Sequence, residues 1–160
     1  MGYRCLFVTA AALLLTTGCA PKLRYSAPTG WTSVGSSGQS DAASDTVEVT
    51  LKHERTGANA VIDCAPADDD SLALTLVLSL VTLAETHGRV VSSSIADDQR
   101  SYRLAFVLED EGARMSGRQV AWLTSGKKPR LIVVSGLWPT DRDAAMSADF
   151  EKIVASTSFR

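Results

Sequence analysis

"DDDSLALTLVLSLVTLAETHG", residues 68–88, is apolar enough to pass for either a buried strand or a helix. Its polar residues decide between the two. Ser71, Thr75, Ser79, Thr82 and Thr86 recur every three or four positions and, at about 100° per residue, fall within an arc of roughly 80°. Strict alternation would place them on both faces of a strand. Asp68, Asp69 and Asp70 stand where carboxylates meet the positive end of a helix dipole, and Gly88 stands where a glycine stops a helix. A helix here separates a short β segment from a longer one.

Upstream, "VEVTLKHE" (47–54) alternates Val47, Val49 and Leu51 with Glu48, Thr50 and Lys52, the pattern of a half-buried strand. "RTGAN" is turn chemistry, and "AVIDCA" (60–65) is the return strand of a hairpin. "GSSGQSDAASD" (35–45) is small and polar and reads as a loop. Downstream, "RVVSSSI" (89–95) is a faint strand pattern, while "YRLAFVLE" (102–109), "RQVAWLT" (118–124) and "RLIVVSG" (130–136) are clear ones. "DEGARMSG" reads as the loop between the second and third, and "SGKKP" as a turn into the last. "PTDRDAAMSADFEKIVAS" (139–156) closes the chain as a helix: Thr140 and Asp143 resemble a capping box, and Met146, Phe150, Ile153 and Val154 recur at helical spacing. Strands joined by short turns pair antiparallel. The expected class is therefore α+β, an antiparallel sheet with helices packed on its faces.

This order resembles the PsbP/Mog1-like fold of small bacterial lipoproteins, the DcrB and LpqN groups among them. The residues that carry the resemblance are "APTGW" (27–31), the meander from Tyr102 to Gly136 and the ending "FEKIVASTSFR". The resemblance covers residues 25–160. It implies a three-layer α/β/α sandwich and no shared enzymatic activity, since such proteins are mostly binding or assembly factors.

The N-terminus supplies an address. Arg4 gives a positive start, Leu6 to Leu15 an uncharged core, and Thr16, Thr17 and Gly18 the small residues that a signal peptidase accepts. The apolar run is shorter than the roughly 20 residues that cross a bilayer. "LLLTTGCAPK" (13–22) resembles the lipobox of bacterial lipoproteins, with Leu15 one place further upstream than that pattern has it. The resemblance implies cleavage before Cys19 and attachment of palmitate-type acyl chains there. Residues 1–18 are then a lipoprotein signal peptide, 19–24 a lipidated tether and 25–160 one domain. The expected partner of the tether is the membrane. With Ala20 after the cysteine, the expected location is the outer membrane facing the periplasm in a two-membraned cell, and otherwise the outer face of the cell membrane.

Removing 18 of 160 residues leaves one domain's length, large enough for a core without staples. Cys5 leaves with the signal and Cys19 carries lipid, so Cys64 has no partner for an internal disulfide. The mature chain has 15 basic and 18 acidic residues, which gives no reason to expect nucleic acid.

Candidate constellations resolve into structural roles. Asp68 to Asp70 open a helix, and consecutive carboxylates do not converge on one ion. His53 and His87, with Asp63 or Cys64, lack zinc-motif spacing. "GSSG" has no strand feeding it and is no nucleophile elbow. Cys64 lies in a strand beside acids and reads as core. Trp31, Trp122 and Trp138 read as packing residues. Lys127, Lys128 and Arg130 form a basic turn, with Arg114 and Arg118 in the neighbouring loop, suited to solvent or to anionic headgroups. No catalytic residue, metal or cofactor is assigned.

The expected function is a membrane-anchored, non-catalytic binding or assembly module with an envelope protein partner. The alternatives are a carrier of an apolar ligand and an enzyme of unrecognised type. A candidate docking site lies on the first helix, whose apolar arc is far wider than the roughly 100° a sheet covers. Leu72, Leu76, Leu80 and Leu83 are expected to meet the sheet. Leu74, Leu78 and Val81 are expected on one flank, as core if a neighbouring segment covers them and as the partner-binding patch if none does.

Overall fold

The computed structural model describes residues 23–38, 46–110 and 112–159. The expected signal peptide, Cys19, most of the expected tether and residues 39–45 of the polar run lie outside these. The elements in chain order are β1 (Leu23–Arg24), β2 (Trp31–Gly38), β3 (Val47–His53), β4 (Asn59–Pro66), α1 (Ser71–Glu85), β5 (Arg89–Ile95), β6 (Ser101–Asp110), β7 (Ala113–Leu123) and β8 (Arg130–Pro139). A 3₁₀ turn (Thr140–Arg142), α2 (Asp143–Ser156) and β9 (Ser158–Phe159) complete the chain. Seven strands form one antiparallel sheet in the order β2-β3-β4-β8-β7-β6-β5, and β1 pairs with β9 in a separate ribbon.

The pleat distributes the sheet's side chains between two cores. Ile62 and Cys64 of β4, Ile132 and Val134 of β8, and Trp138 pack with Met146, Phe150 and Ile153 of α2. Tyr102 and Leu104 of β6, Ala121 of β7, and Leu131 and Val133 of β8 pack with Leu72 and Leu83 of α1. Central β8 is thus buried on both faces, which is why its sequence runs apolar instead of alternating. Gly136 lets α2 settle: a Cβ there would stand 2.7 Å from atoms of both Phe150 and Trp138.

The α+β class and the sandwich hold as expected, while several local expectations give way to long-range pairing. The polar run from Gly35 begins as strand, since β2 pairs with β3 from Trp31 to Gly38 around an irregularity at Ser33–Gly35. "DEGARMSG" is not a loop: β7 starts at Ala113, and Ala113 pairs with Asp110 across a two-residue connection. There Met115 opposes Leu108, an apolar pair that outweighs the polar composition. Leu23 and Arg24, assigned to the tether, are strand β1.

The helix ends also differ. At the start of α1, Asp68 and not Asp70 is the engaged carboxylate, accepting from Ser71 Oγ at 2.6 Å, and these hydrogen bonds lower its pKa. At its end the left-handed residue is His87 (φ 55°), with the Gly88 N–H donating to the Leu83 carbonyl at 2.6 Å. Gly88 is needed for space, since a Cβ would stand 2.8 Å from Leu83 and Leu108. The capping box at α2 is absent. Thr140 Oγ1 accepts from Ser116 Oγ, and Asp143 Oδ1 accepts from Trp138 Nε1 at 2.9 Å.

Candidate functional site

Helix α1 lies over β5, β6 and β7, rolled about its axis relative to the expected orientation. Leu72 and Leu83 meet the sheet and Leu76 is half-buried, but Leu80 is 38 % exposed. The expectation that Leu80 packs on the sheet is therefore overturned. In its place the first part of the Ser/Thr stripe leans inward: Ser71, Thr75 and Ser79 are half-buried, while Thr82 and Thr86 are exposed. The cause is a polar row on the sheet. Gln119 of β7 stands opposite Leu104 and Ser135, beneath the helix. The Ser79 and Tyr102 hydroxyls donate to Gln119 Oε1, each at 2.8 Å, and Gln119 Nε2 donates to Ser135 Oγ at 3.0 Å. A covered amide without partners would be costly, and the α1 hydroxyl that turns to meet it is that of Ser79. Gln119→Ala is expected to lower stability by about 2 kcal/mol and to loosen α1 first. Urea unfolding measures the first effect, and faster amide exchange confined to α1 the second.

The roll sends the apolar arc outward. Leu74 (59 % exposed), Leu78 (56 %), Val81 (48 %) and Val77 (54 %) form the exposed face of α1. The first three are the residues expected as a patch from sequence: Leu74 and Val81 are exposed on the outer face, and Leu78 is exposed on the flank that borders the sheet. No described segment covers them. On edge strand β5, Val90, Val91 and Ile95 are also exposed, extending the apolar surface of this half of the molecule.

Between α1 and the β4–β8 half of the sheet runs an open groove of about 470 Å³. Leu78, Leu83, Phe106 and Leu137 give it apolar walls, Thr82 and Ser135 give it hydroxyls, and among the described residues no charged side chain lines it. Sequence reading missed this groove, because its walls come from five elements. The Phe106 ring fills the space over Gly117 on the neighbouring strand, so even one wall depends on a residue eleven positions away.

The remaining candidates are dispersed. His53 stacks edge-on against Trp31 at 5.5 Å and its Nδ1 lies 3.0 Å from Thr56 Oγ1, while His87 is exposed at the end of α1. Among the described residues no three His, Cys, Asp or Glu side chains gather as a metal site. Cys64 is fully buried, and burial pushes its thiol pKa up despite Arg130 nearby. Trp31 and Trp138 are buried, with indole N–H groups donating to Asp149 and Asp143, and Trp122 packs at the margin of the same core. The basic set divides. Lys127 and Lys128 are exposed at the β7–β8 turn, whereas Arg114 and Arg118 belong to β7, pairing with Glu109 and approaching Glu151. Arg114 sits at the opposite end of the sheet from the turn.

Asp63 is a half-buried carboxylate opposite Glu48, and burial first, then the Glu48 charge, raise its pKa. A raised carboxyl pKa means that the native state holds the proton more tightly than the unfolded chain. Its contribution to stability therefore declines as pH rises from the ordinary carboxylate range through the raised value, and the ionised group is a net cost at neutral pH. Asp63→Asn is expected to raise the neutral-pH melting temperature and to remove that decline from a pH series of unfolding midpoints.

A three-layer arrangement of this kind, with one helix on each face of a seven-stranded antiparallel sheet, defines an α+β sandwich of the PsbP/Mog1-like fold. Among the solved structures that share it are two from bacterial proteins. LpqN of Mycobacterium tuberculosis, described as involved in cell envelope biogenesis, superposes with a TM-score of 0.60 at 12 % identity, over 88 % of this chain and 84 % of LpqN. The cyanobacterial PsbP protein (CyanoP) of Synechocystis sp. PCC 6803 superposes with a TM-score of 0.54 at 16 % identity, over 86 % of each chain. These likenesses establish the fold. No family model matches the sequence, and no curated protein matches it either.

Proposed function

We propose that this protein is an envelope lipoprotein, acylated at Cys19, that works without catalysis as a docking module and presents the outer face of α1 to an envelope protein. The observation that carries the reading is the exposure of Leu74, Val77, Leu78 and Val81 on one helix. Folded domains rarely leave contiguous apolar surface of this kind without a use, and a helix face of spaced aliphatic anchors suits a partner's groove or a second helix. The envelope setting is supported by the LpqN likeness and by the lipobox-like segment around Cys19. No described helix is long and apolar enough to cross a membrane, so attachment in this reading falls to the lipid. The buried Cys64, with its raised pKa, is a poor nucleophile, consistent with a non-catalytic role.

The test is crosslinking in the native envelope. A photoreactive residue at Val81 is expected to capture a discrete partner that the same residue at Thr50, on the other half of the sheet, does not. Equal capture from both positions overturns the docking face.

A second reading, carriage of an apolar ligand, is favoured by the uncharged groove beside α1. It predicts a lipid adduct in native mass spectra of protein taken from its own membrane. Thr82→Trp, which fills the groove, is expected to abolish that adduct.

A further inference from the structure

The anchor reading has a geometric consequence that rests on acylation of Cys19. Leu23, in β1, pairs with Phe159 of β9. The Arg130 guanidinium lies over the Phe159 ring, 4.3 Å from its centre. Arg130 opens β8: its N–H donates to Thr124 Oγ1 at 2.9 Å, and its carbonyl accepts the Thr124 N–H at 2.8 Å. These two bonds close the turn at 125–129, where Lys127 and Lys128 are exposed. Arg100 is drawn to the same place, its guanidinium donating to the Thr124 carbonyl at 2.8 Å. The point where the chain leaves toward Cys19 and the basic tip of the β7–β8 hairpin therefore share one end of the sheet.

Cys19 precedes Leu23 by four residues, which span at most about 14 Å when extended. Acyl chains on Cys19 hold this end against the bilayer, whereas the β6–β7 turn lies about 35 Å away along β7. The charges at the tethered end are also divided. Asp69, Asp70 and Asp97 line one hollow between the start of α1 and the β5–β6 turn. The β1–β9 ribbon, with exposed Arg24, packs instead on the core under α2. Lys127 and Lys128 thus share an end of the sheet with β1, and Asp69, Asp70 and Asp97 gather on the α1 side, with Asp68 between them, one residue after Ala67, whose N–H donates to the Pro129 carbonyl.

We propose that the β7–β8 tip rests on the membrane surface with Lys127 and Lys128 on the phosphates of anionic lipid headgroups, the α2 side down and the α1 face tilted away from the bilayer. Each lysine at an anionic surface shifts the population of the apposed state by about fivefold, and the pair by about thirtyfold.

The experiment uses the full mature protein, purified from its membrane and reconstituted in vesicles of phosphatidylcholine with phosphatidylglycerol. Intact mass first establishes whether Cys19 is acylated. A fluorophore is then placed at Ser125→Cys or at Ala113→Cys, and quenching by headgroup-labelled lipid is compared. Strong quenching at position 125 with little at 113 is expected. The preference is expected to collapse in Lys127→Glu/Lys128→Glu and in vesicles lacking the anionic lipid. Equal quenching at the two ends of an acylated protein overturns the orientation and leaves the anchor standing. A preference unchanged by the double substitution overturns the headgroup contact. An unacylated Cys19 overturns the anchor and the orientation together.

Discussion

Leu78→Asp is expected to leave the domain folded and to abolish capture of its partner. The side chain is 56 % exposed on the flank of α1, where it supports neither core. Surface changes of this kind usually move stability by no more than about 0.5 kcal/mol, and aspartate's lower helix propensity accounts for a change of that size. In a docked complex the same position would bury an ionised carboxylate among aliphatic side chains. Loss of a central apolar anchor costs about 2 kcal/mol or more, and the trapped charge adds to it, so affinity is expected to fall by at least about thirtyfold. Circular dichroism and the urea midpoint report the fold, and crosslinking yield reports the docking. Leu83→Asp provides the contrast: Leu83 is 6 % exposed, and this variant is expected to unfold.

Because Leu78 also lines the groove, Val81→Asp separates the two functional readings. It is expected to abolish protein docking and to leave any groove-bound lipid in place. A folded Leu78→Asp variant that still captures the partner overturns the docking face.

Cys19→Ala is expected to abolish acylation and to release the protein from the membrane or leave it unprocessed. In the proposed anchor the Cys19 thiol is the group that would take the diacylglycerol, and alanine offers no group in its place. With about 0.8 kcal/mol for each buried methylene, two or three acyl chains hold a domain durably, and their loss leaves only weak surface contacts. Metabolic labelling with an alkynyl palmitate followed by fractionation measures both effects. Cys64 is fully buried in the α2 core and offers no substitute thiol. Acyl label persisting on Cys19→Ala overturns the anchor.

Much of the architecture is legible in the chain because the signals are local. The 3.6-residue recurrence of Ser71, Thr75, Ser79, Thr82 and Thr86 places α1, and the alternation of Val47, Val49 and Leu51 places β3, since each period reports the geometry of its own backbone. The weak strand pattern of "RVVSSSI" is realised as edge strand β5, in which every side chain is exposed and little apolar content is needed. The patch residues Leu74, Leu78 and Val81 are legible for the same reason. An apolar arc wider than one contact surface leaves a remainder, whichever way the helix rolls.

The direction of that roll came from the tertiary structure. A nearly all-apolar helix fits a sheet in several rotations, and the choice rested on Gln119, Tyr102 and Ser135, three residues from three strands that meet only once the sheet is assembled. Gln119 Oε1 takes one hydroxyl from α1, that of Ser79, so Ser71, Thr75 and Ser79 lean toward the sheet beside Leu72 and Leu83, while Leu74, Val77, Leu78 and Val81 stay exposed. Register likewise made strand of Gly35–Gly38 and Ala113–Gly117, whose composition reads as loop. The sequence by itself determined the elements, the class and the surplus of apolar surface on α1. Only the folded chain decided where that surplus points, where the groove opens beside it, and which end of the sheet β1 joins, because each depends on residues brought together from distant strands.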